Sequence, residues 1–426
     1  MHSFSGPSFT KSQGGLGRTG VSDEGYMGLL CGAVAVSGFE LGTVYKVDSL
    51  AYAEDTLGLT ASYDANNHLL LHHHIERFFE YAPNGTLFIM GVSRSVTFEN
   101  MCDLANDYLK KLLRSDVHGR KLKCVGILRN AIVGYGHAYD NGVDADVQAA
   151  ALKADLLCKD LFDDKIYVDN IVFETRLEPG EPIADAASWR DIGTEYCSAL
   201  VAQDPVIAAL DSAYAGYAEV GSFLGMVAVR KVSECVGSVA IENKPSAWLG
   251  VESYPLTRIS REWWLTASLT NGTAYSALSN AQKTALDSKG YIYAGVYEGY
   301  DGVYFSDSHT AASVTSDYAY IEDNRVWNKA ARIARAALLP NMKGNVEVDA
   351  TTGNLLSTWV TYLKNKGEKA LSVMALANEL SGNPVLTIPV EQDVLAQNGI
   401  TMSIQYVRNG ILRTLTGTIG AVKKIS

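Results

Sequence analysis

Proline is scarce in this sequence, 10 residues in 426, and no two cysteines form a C-x-x-C pair. The six cysteines, Cys31, Cys102, Cys124, Cys158, Cys197 and Cys235, stand alone, most of them within apolar runs such as 122–128. That usage reads as reduced, buried thiols and leaves no zinc site. Long hydrophobic runs are missing too. The longest apolar stretch, 26–39, is too short to span a bilayer and is interrupted by Gly28, Gly32 and Ser37. Asp23 and Glu24 precede it where a secretory signal would carry lysines. The expectation is a protein made and folded in the cytoplasm, with no membrane insertion. Positive charge is in short supply, 36 Lys and Arg against 47 Asp and Glu, for a net charge of −11. That balance argues against a nucleic-acid binder working by phosphate neutralisation. G-x-S-x-G, the P-loop and H-E-x-x-H are all absent.

What is present is a globular balance, 47% hydrophobic and 19% charged, rich in Gly (38) and Tyr (23). The length suits about two or three domains. Residues 1–20 are rich in Gly, Ser and Thr and read as an extended N-terminal arm. From 21 to 290 the pattern alternates: helix 67–80, strand 86–92, helix 98–114, strand 122–128, helix 144–162, strand 165–175. Such alternation predicts an α/β (α+β) fold, a mixed sheet with flanking helices. Segments 187–200, 205–214 and 222–232 read as helices, whereas 237–278 has no clear pattern. A compact C-terminal α/β domain is expected over 291–399, with helices 325–339, 355–363 and 369–380. Ile400, Met402, Ile404 and Tyr406 then alternate with mostly polar residues, and Asn409-Gly410 is a strong two-residue hairpin signal. The return strand, 411–419, makes 400–426 a C-terminal β-hairpin arm.

Several motifs tempt a chemical reading. Gly15-Leu16-Gly17-Arg18-Thr19-Gly20 matches G-x-G-x-x-G, but no apolar strand precedes it, so a dinucleotide site is not supported. His68, His72 and Glu76 fall at i, i+4, i+8, yet lack a further ligand cluster, and the polar flank of a helix is the simpler reading. Asp140, Asp144 and Asp146 near His137 lack EF-hand spacing, and Asp144 suits a helix N-cap. Asp301, Asp307 and His309 could supply acid–base chemistry, but no nucleophile signature accompanies them. On helix 325–339, Val326, Ala330, Ile333 and Ala337 form an apolar stripe, while Arg325, Lys329, Arg332 and Arg335 share another face. That basic face is either solvated or a docking stripe for an acidic partner. Lys364, Lys366 and Lys369 form a second basic cluster.

The segment GYDGVYFSDSHTAASVTSDYAYIEDNRVWNKAARIARAALLP (299–340), then VEVDATTGNLLS (346–357), a helix, a strand and a terminal hairpin, resembles contractile tail sheath proteins of bacteriophages and related contractile injection machines. GGLGR (14–18) and GYMGLLCGAVAV (25–36) resemble the start of that family. The resemblance implies a non-enzymatic structural subunit without cofactor, catalytic residue or metal, located in a virion tail or contractile injection particle. It implies polymerisation around an inner tail tube, in stacked rings that would be hexameric, with contraction driving the tube through a target envelope. Further partners would be baseplate and tail terminator proteins, and no nucleic acid. The arms, including Gly15, Gly17, Arg18, Met402, Ile404, Tyr406, Asn409 and Gly410, would exchange strands with neighbouring subunits. Arg325, Lys329, Arg332 and Arg335 would be the tube-docking candidates. Two other readings stay open: a soluble α/β enzyme with a site near Asp301–His309, and another tail structural protein.

Overall fold

A computed structural model describes residues 23–114 and 122–421. The expected N-terminal arm, with Gly15, Gly17 and Arg18, lies outside the described residues. The first part of the chain runs β1 (Tyr26–Ala33), β2 (Val44–Val47), α1 (Leu50–Asp55), α2 (Ala61–Asn67), α3 (Leu71–Tyr81), β3 (Thr86–Ser93), α4 (Phe98–Cys102), α5 (Leu109–Arg114) and β4 (Cys124–Leu128). Two-residue strands β5 (Tyr139–Asp140) and β6 (Val143–Asp144) lead into α6 (Ala145–Asp163) and β7 (Asn170–Glu174). Then come β8 (Cys197–Leu200), β9 (Ala202–Gln203), α7 (Pro205–Ala208), α8 (Val220–Val229), β10 (Ser268–Leu269), α9 (Asn280–Ser288), β11 (Tyr291–Ile292), β12 (Ala294–Val296) and β13 (Val303–Phe305).

Seven of these strands form one sheet in the order β11-β8-β7-β4-β1-β3-β2. All neighbours are parallel except the edge strand β2, which runs antiparallel to β3. β4 and β7 are buried throughout, and β1 from Met27 onward, as a parallel sheet covered on both faces requires. One face packs under α3 and α8 through Ile75, Phe78, Phe223 and Leu224. The other packs under α4, α5 and α6 through Phe98, Leu112, Val147 and Leu157. Helix α8 (VGSFLGMVAV) is apolar nearly all round and accordingly buried. Its glycines let it lie against α3: a Cβ on Gly221 would stand 2.3 Å from the His74 carbonyl oxygen.

A smaller unit follows. It comprises α10 (Ile321–Leu338), α11 (Ser357–Leu376), β14 (Val385–Thr387), α12 (Val394–Gln397) and β15 (Ser403–Gln405). Val326, Ala330 and Ala334 of α10 pack on Leu371 and Met374 of α11. Leu363, Leu386 and Ile388 close a second small core beneath the antiparallel β14–β15 pair.

The α/β class, the mixed sheet and the compact C-terminal unit match the expectation from sequence. Several element assignments do not. The helix expected over 67–80 is two helices, broken where His68 caps α2 in the left-handed region (φ 51°). The 98–114 helix is likewise split between Cys102 and Leu109. Segment 187–200 is not a helix: it holds a short 3-10 turn, Trp189–Ile192, and the buried strand β8, where tertiary pairing overrides an alanine-tolerant sequence. The helices expected over 355–363 and 369–380 are one, α11, and Gly367 inside it gives Leu386 of β14 room to approach. β11 is an edge of the large sheet, and β12 and β13 pair separately but send Ala294, Val303 and Phe305 into the core that holds α3 and α8, so residues 291–305 pack with the sheet domain rather than opening the C-terminal unit. Finally, 411–419 does not return as a strand: β15 pairs with β14, and residues 409–421 join no ladder.

Candidate assembly surfaces

Helix α10 is two-sided. Its apolar stripe faces α11, and its basic face meets the amino ends of the central strands, where Glu24, Lys123 and Asp169 precede β1, β4 and β7. Arg332 reaches Glu24 at 3.2 Å and Asp169 at 3.3 Å. Asn328 donates to the Asp169 carboxylate at 2.9 Å and to the Val168 carbonyl at 3.1 Å. Arg325, 2% exposed, donates to the carbonyls of Lys231 and Arg230 and lies 3.9 Å from Asp169. Lys329 pairs with Glu379 at 2.6 Å, just beyond α11. Burial would push the Glu24 carboxyl up, but Arg332 and the neighbouring cations outweigh it and hold it below the ordinary carboxylate range.

The expectation that Arg325, Lys329, Arg332 and Arg335 form a solvated or tube-docking face is therefore corrected. Three of the four bind this chain's own carboxylates or carbonyls, because the face opposite the apolar stripe is itself covered by the sheet. Arg335 alone of the four is exposed. It lies one turn before Pro340, beside which Leu339 and Met342 are exposed; the second basic cluster lies on α11 with the exposed Tyr362. There Lys366 extends toward Asn341 and Tyr362, Lys369 is exposed, and Lys364 leans toward Glu368.

The C-terminal segment is the other open surface. Ile404 sits in β15 and packs with Tyr406 against the α10–α11 core, and Met402 just precedes the strand. Val407 accepts from the Ser381 amide, and Asn409 is held by the Asn378 carbonyl and the Ser381 hydroxyl. Met402, Ile404, Tyr406 and Asn409 are thus part of, or fastened to, the small unit. Past Gly410 the chain runs over the surface with Leu412 77%, Leu415 86% and Ile419 101% exposed. Arg408 forms an ion pair with Asp323, and Arg413 pairs with Asp307 and Glu322.

Asp307 and Glu322 are buried, together with Cys235 and Ser308. The Cys235 thiol donates to Asp307 at 3.1 Å, and the Ser308 hydroxyl to Glu322. Burial would raise the Asp307 carboxyl, but the Arg413 guanidinium holds it below its ordinary value. His309 has both ring nitrogens engaged, one by Asp287 at 2.8 Å and the other by Arg190 at 2.9 Å. Asp301 sits apart, exposed at the β12–β13 turn. Of the three residues considered for acid–base chemistry, Asp307 and His309 thus lie together, within 4.8 Å beside Asp287, each engaged in internal pairs, and Asp301 does not join them.

The other tempting groups also resolve into structure. His68 turns to Asp211, His72 to Glu54 and Glu76 to Arg261, so the i, i+4, i+8 set diverges. Sequence spacing missed the inward pair, His73 and His74, around Glu219. His73 and Tyr217 both bond the Glu219 carboxylate, and the Gly221 amide donates to His74 Nδ1. Asp144 caps α6 and accepts from His137 at 2.9 Å. A recess of about 240 Å³ lies beyond the carboxyl ends of β4 and β7, between His68, Asn130, Tyr135, His137, Arg176 and Tyr214. Its charged groups are tied to neighbours: Arg176 to Glu174 and the Ala215 carbonyl, His68 to Asp211, His137 to Asp144.

The large sheet, the two-sided helix and the small unit with its trailing segment make up the fold of contractile sheath proteins. The chain is similar to the helical sheath of the anti-feeding prophage in its contracted state, at 10% identity and a TM-score of 0.61 over 100% of both chains. It is similar to the sheath of PVC, an extracellular contractile injection system, at 10% identity and 0.55, over 99% of this chain and 98% of that one. The sheath tail protein from Desulfitobacterium hafniense matches at 10% identity and 0.50, over 96% and 100%. The chain belongs to the DUF2586 family, whose N-terminal domain matches residues 4–309 and C-terminal domain residues 317–426. The gap between those matches falls where the large sheet ends and α10 is about to begin. By sequence, no curated protein matches.

Proposed function

We propose that this protein is the subunit of a contractile sheath that polymerises around an inner tube, in a phage tail or related injection particle assembled in the bacterial cytoplasm. Contraction of the polymer would drive the tube through a target envelope, the work coming from repacked subunit interfaces. A structural rather than catalytic role fits a molecule whose Asp307 and His309 are engaged in internal pairs. The observation that carries the reading is the C-terminal segment. Residues 411–421 leave a folded unit with apolar side chains bare and backbone groups outside any ladder. Such a segment is suited to add a strand to another subunit, and the β14–β15 pair, with only two strands, offers edges to receive one. The N-terminal residues Gly15, Gly17 and Arg18 would act in the same exchange.

Stacked, hexameric rings, a baseplate and a tail terminator would complete the particle, with no nucleic acid bound. For the tube, the cations Arg335, Lys366 and Lys369 take the place of the full Arg325–Arg335 stripe, because Arg325, Lys329 and Arg332 are already paired. Deleting residues 414–426 tests the reading. A subunit that folds but no longer forms tubes is expected. Tubes of normal length from the deleted chain would contradict it.

A further inference from the structure

Arg413 lies 91 residues after Glu322 in the chain and yet is the best-held side chain of the C-terminal segment. Its Nε donates to Asp307 Oδ2 at 2.8 Å and its Nη2 to Asp307 Oδ1 at 3.1 Å, a two-pronged contact that matches fork to carboxylate. Nη2 also reaches Glu322 Oε1 at 2.5 Å. The guanidinium lies over the Tyr320 ring, 3.4 Å from its centroid. Both carboxylates are buried, so the recess offers two desolvated negative charges and an aromatic wall, and one planar cation fills it. On either side of Arg413 the segment is loose: Leu412 and Leu415 face solvent, and neither residue's backbone joins a ladder.

We propose that Asp307, Glu322 and Tyr320 form a guanidinium-binding recess whose ligand is Arg413 of the same chain, and that this contact fixes residue 413 as the point where the exchange arm leaves the subunit. The recess depends on the sheath reading only for what the arm does afterwards. It makes the arm shorter than the sequence suggests. Residues 414–426 span at most about 45 Å when extended, whereas an arm starting at 400 would have roughly twice that reach. A shorter tether concentrates the arm near its acceptor and limits which neighbour it can find. Arg408, ion-paired to Asp323 beside the recess, serves as a weaker second fastening because its side chain is half exposed.

The six native cysteines are buried, so a cysteine introduced on the surface takes a spin label selectively. Two labelled chains, Thr414→Cys and Thr418→Cys, are examined as unassembled subunits by electron paramagnetic resonance. The label at 414 is expected to be restrained and the label at 418 free. Glu322→Gln or Arg413→Gln should shorten the correlation time at 414 roughly tenfold and leave 418 unchanged. Arg413→Lys, which keeps the charge without the fork, should restore part of the restraint. A label at 414 that is free in the unsubstituted subunit, or restrained regardless of Arg413 and Glu322, overturns the proposal. So does restraint that arises only on polymerisation, which would place Arg413 in a neighbour's recess. Because the subunit is read before assembly, failure here leaves the tube test of the 414–426 deletion untouched.

Discussion

Arg325 spends its guanidinium on backbone carbonyls and on Asp169, which is fully buried and also bound by Asn328 and Arg332. Removing one partner from such a cluster leaves a buried charge undercompensated, so Arg325→Ala is expected to cost about 3–5 kcal/mol in urea unfolding. Removing Lys46, whose pair with Asp48 is exposed, should change the midpoint little. A second residue-scale prediction concerns acid. Burial depresses the His74 pKa from 6.5 to about 3, so the folded state holds a neutral ring that the unfolded chain protonates below pH 6.5. The stability from that neutral ring is present above pH 6.5 and drains away as pH falls toward about 3. Between pH 7 and 4 the loss should be about 3 kcal/mol. Glu219, held below its ordinary range by His73 and Arg77 against the effect of burial, adds a loss of the same sign further into acid. Unfolding curves across that range check this, and His74→Asn, which can still accept from the Gly221 amide, should flatten the slope.

At the scale of elements, packing at α3–α8 depends on the absence of a side chain. Gly221→Ala would place a Cβ against the His74 backbone, so a loss of about 1–3 kcal/mol is expected, read as a lowered unfolding midpoint. Elements whose periodicity and burial agree were legible from sequence: β3, β4, α6 and α10 fall within a few residues of their expected places. Those decided by distant partners were not. β8 becomes a strand because β7 and β11 flank it, and α11 runs through Gly367 because Leu386 packs there. The basic face of α10 shows the same limit. Helical spacing correctly separated it from the apolar stripe but could not reveal that the sheet's amino ends lie against it. The recess around Arg413 was illegible for a similar reason, since Cys235, Asp307, Glu322 and Arg413 are brought together by the fold alone.

At the scale of the whole molecule, order of segments carried more than any motif: a sheet domain, a basic helix, a small α/β unit and a trailing tail. The overall fold is shared with solved sheath structures at about 10% identity, where individual residues are no guide. Charge should matter in the assembly at the surface left open. Replacing Arg335, Lys366 and Lys369 together by Glu is expected to leave subunit stability within about 0.5 kcal/mol, while cosedimentation with the inner tube is lost or becomes highly salt-sensitive. Normal cosedimentation would return that surface to a plain solvated role.

The most direct test is electron microscopy of the purified, overproduced full-length chain in negative stain. An exchange segment on every subunit is a heterologous contact, and contacts of that kind propagate into helices. The account predicts hollow tubes of uniform diameter and variable length. Discrete small oligomers or monomers, at concentrations where sheath subunits should polymerise, would contradict it.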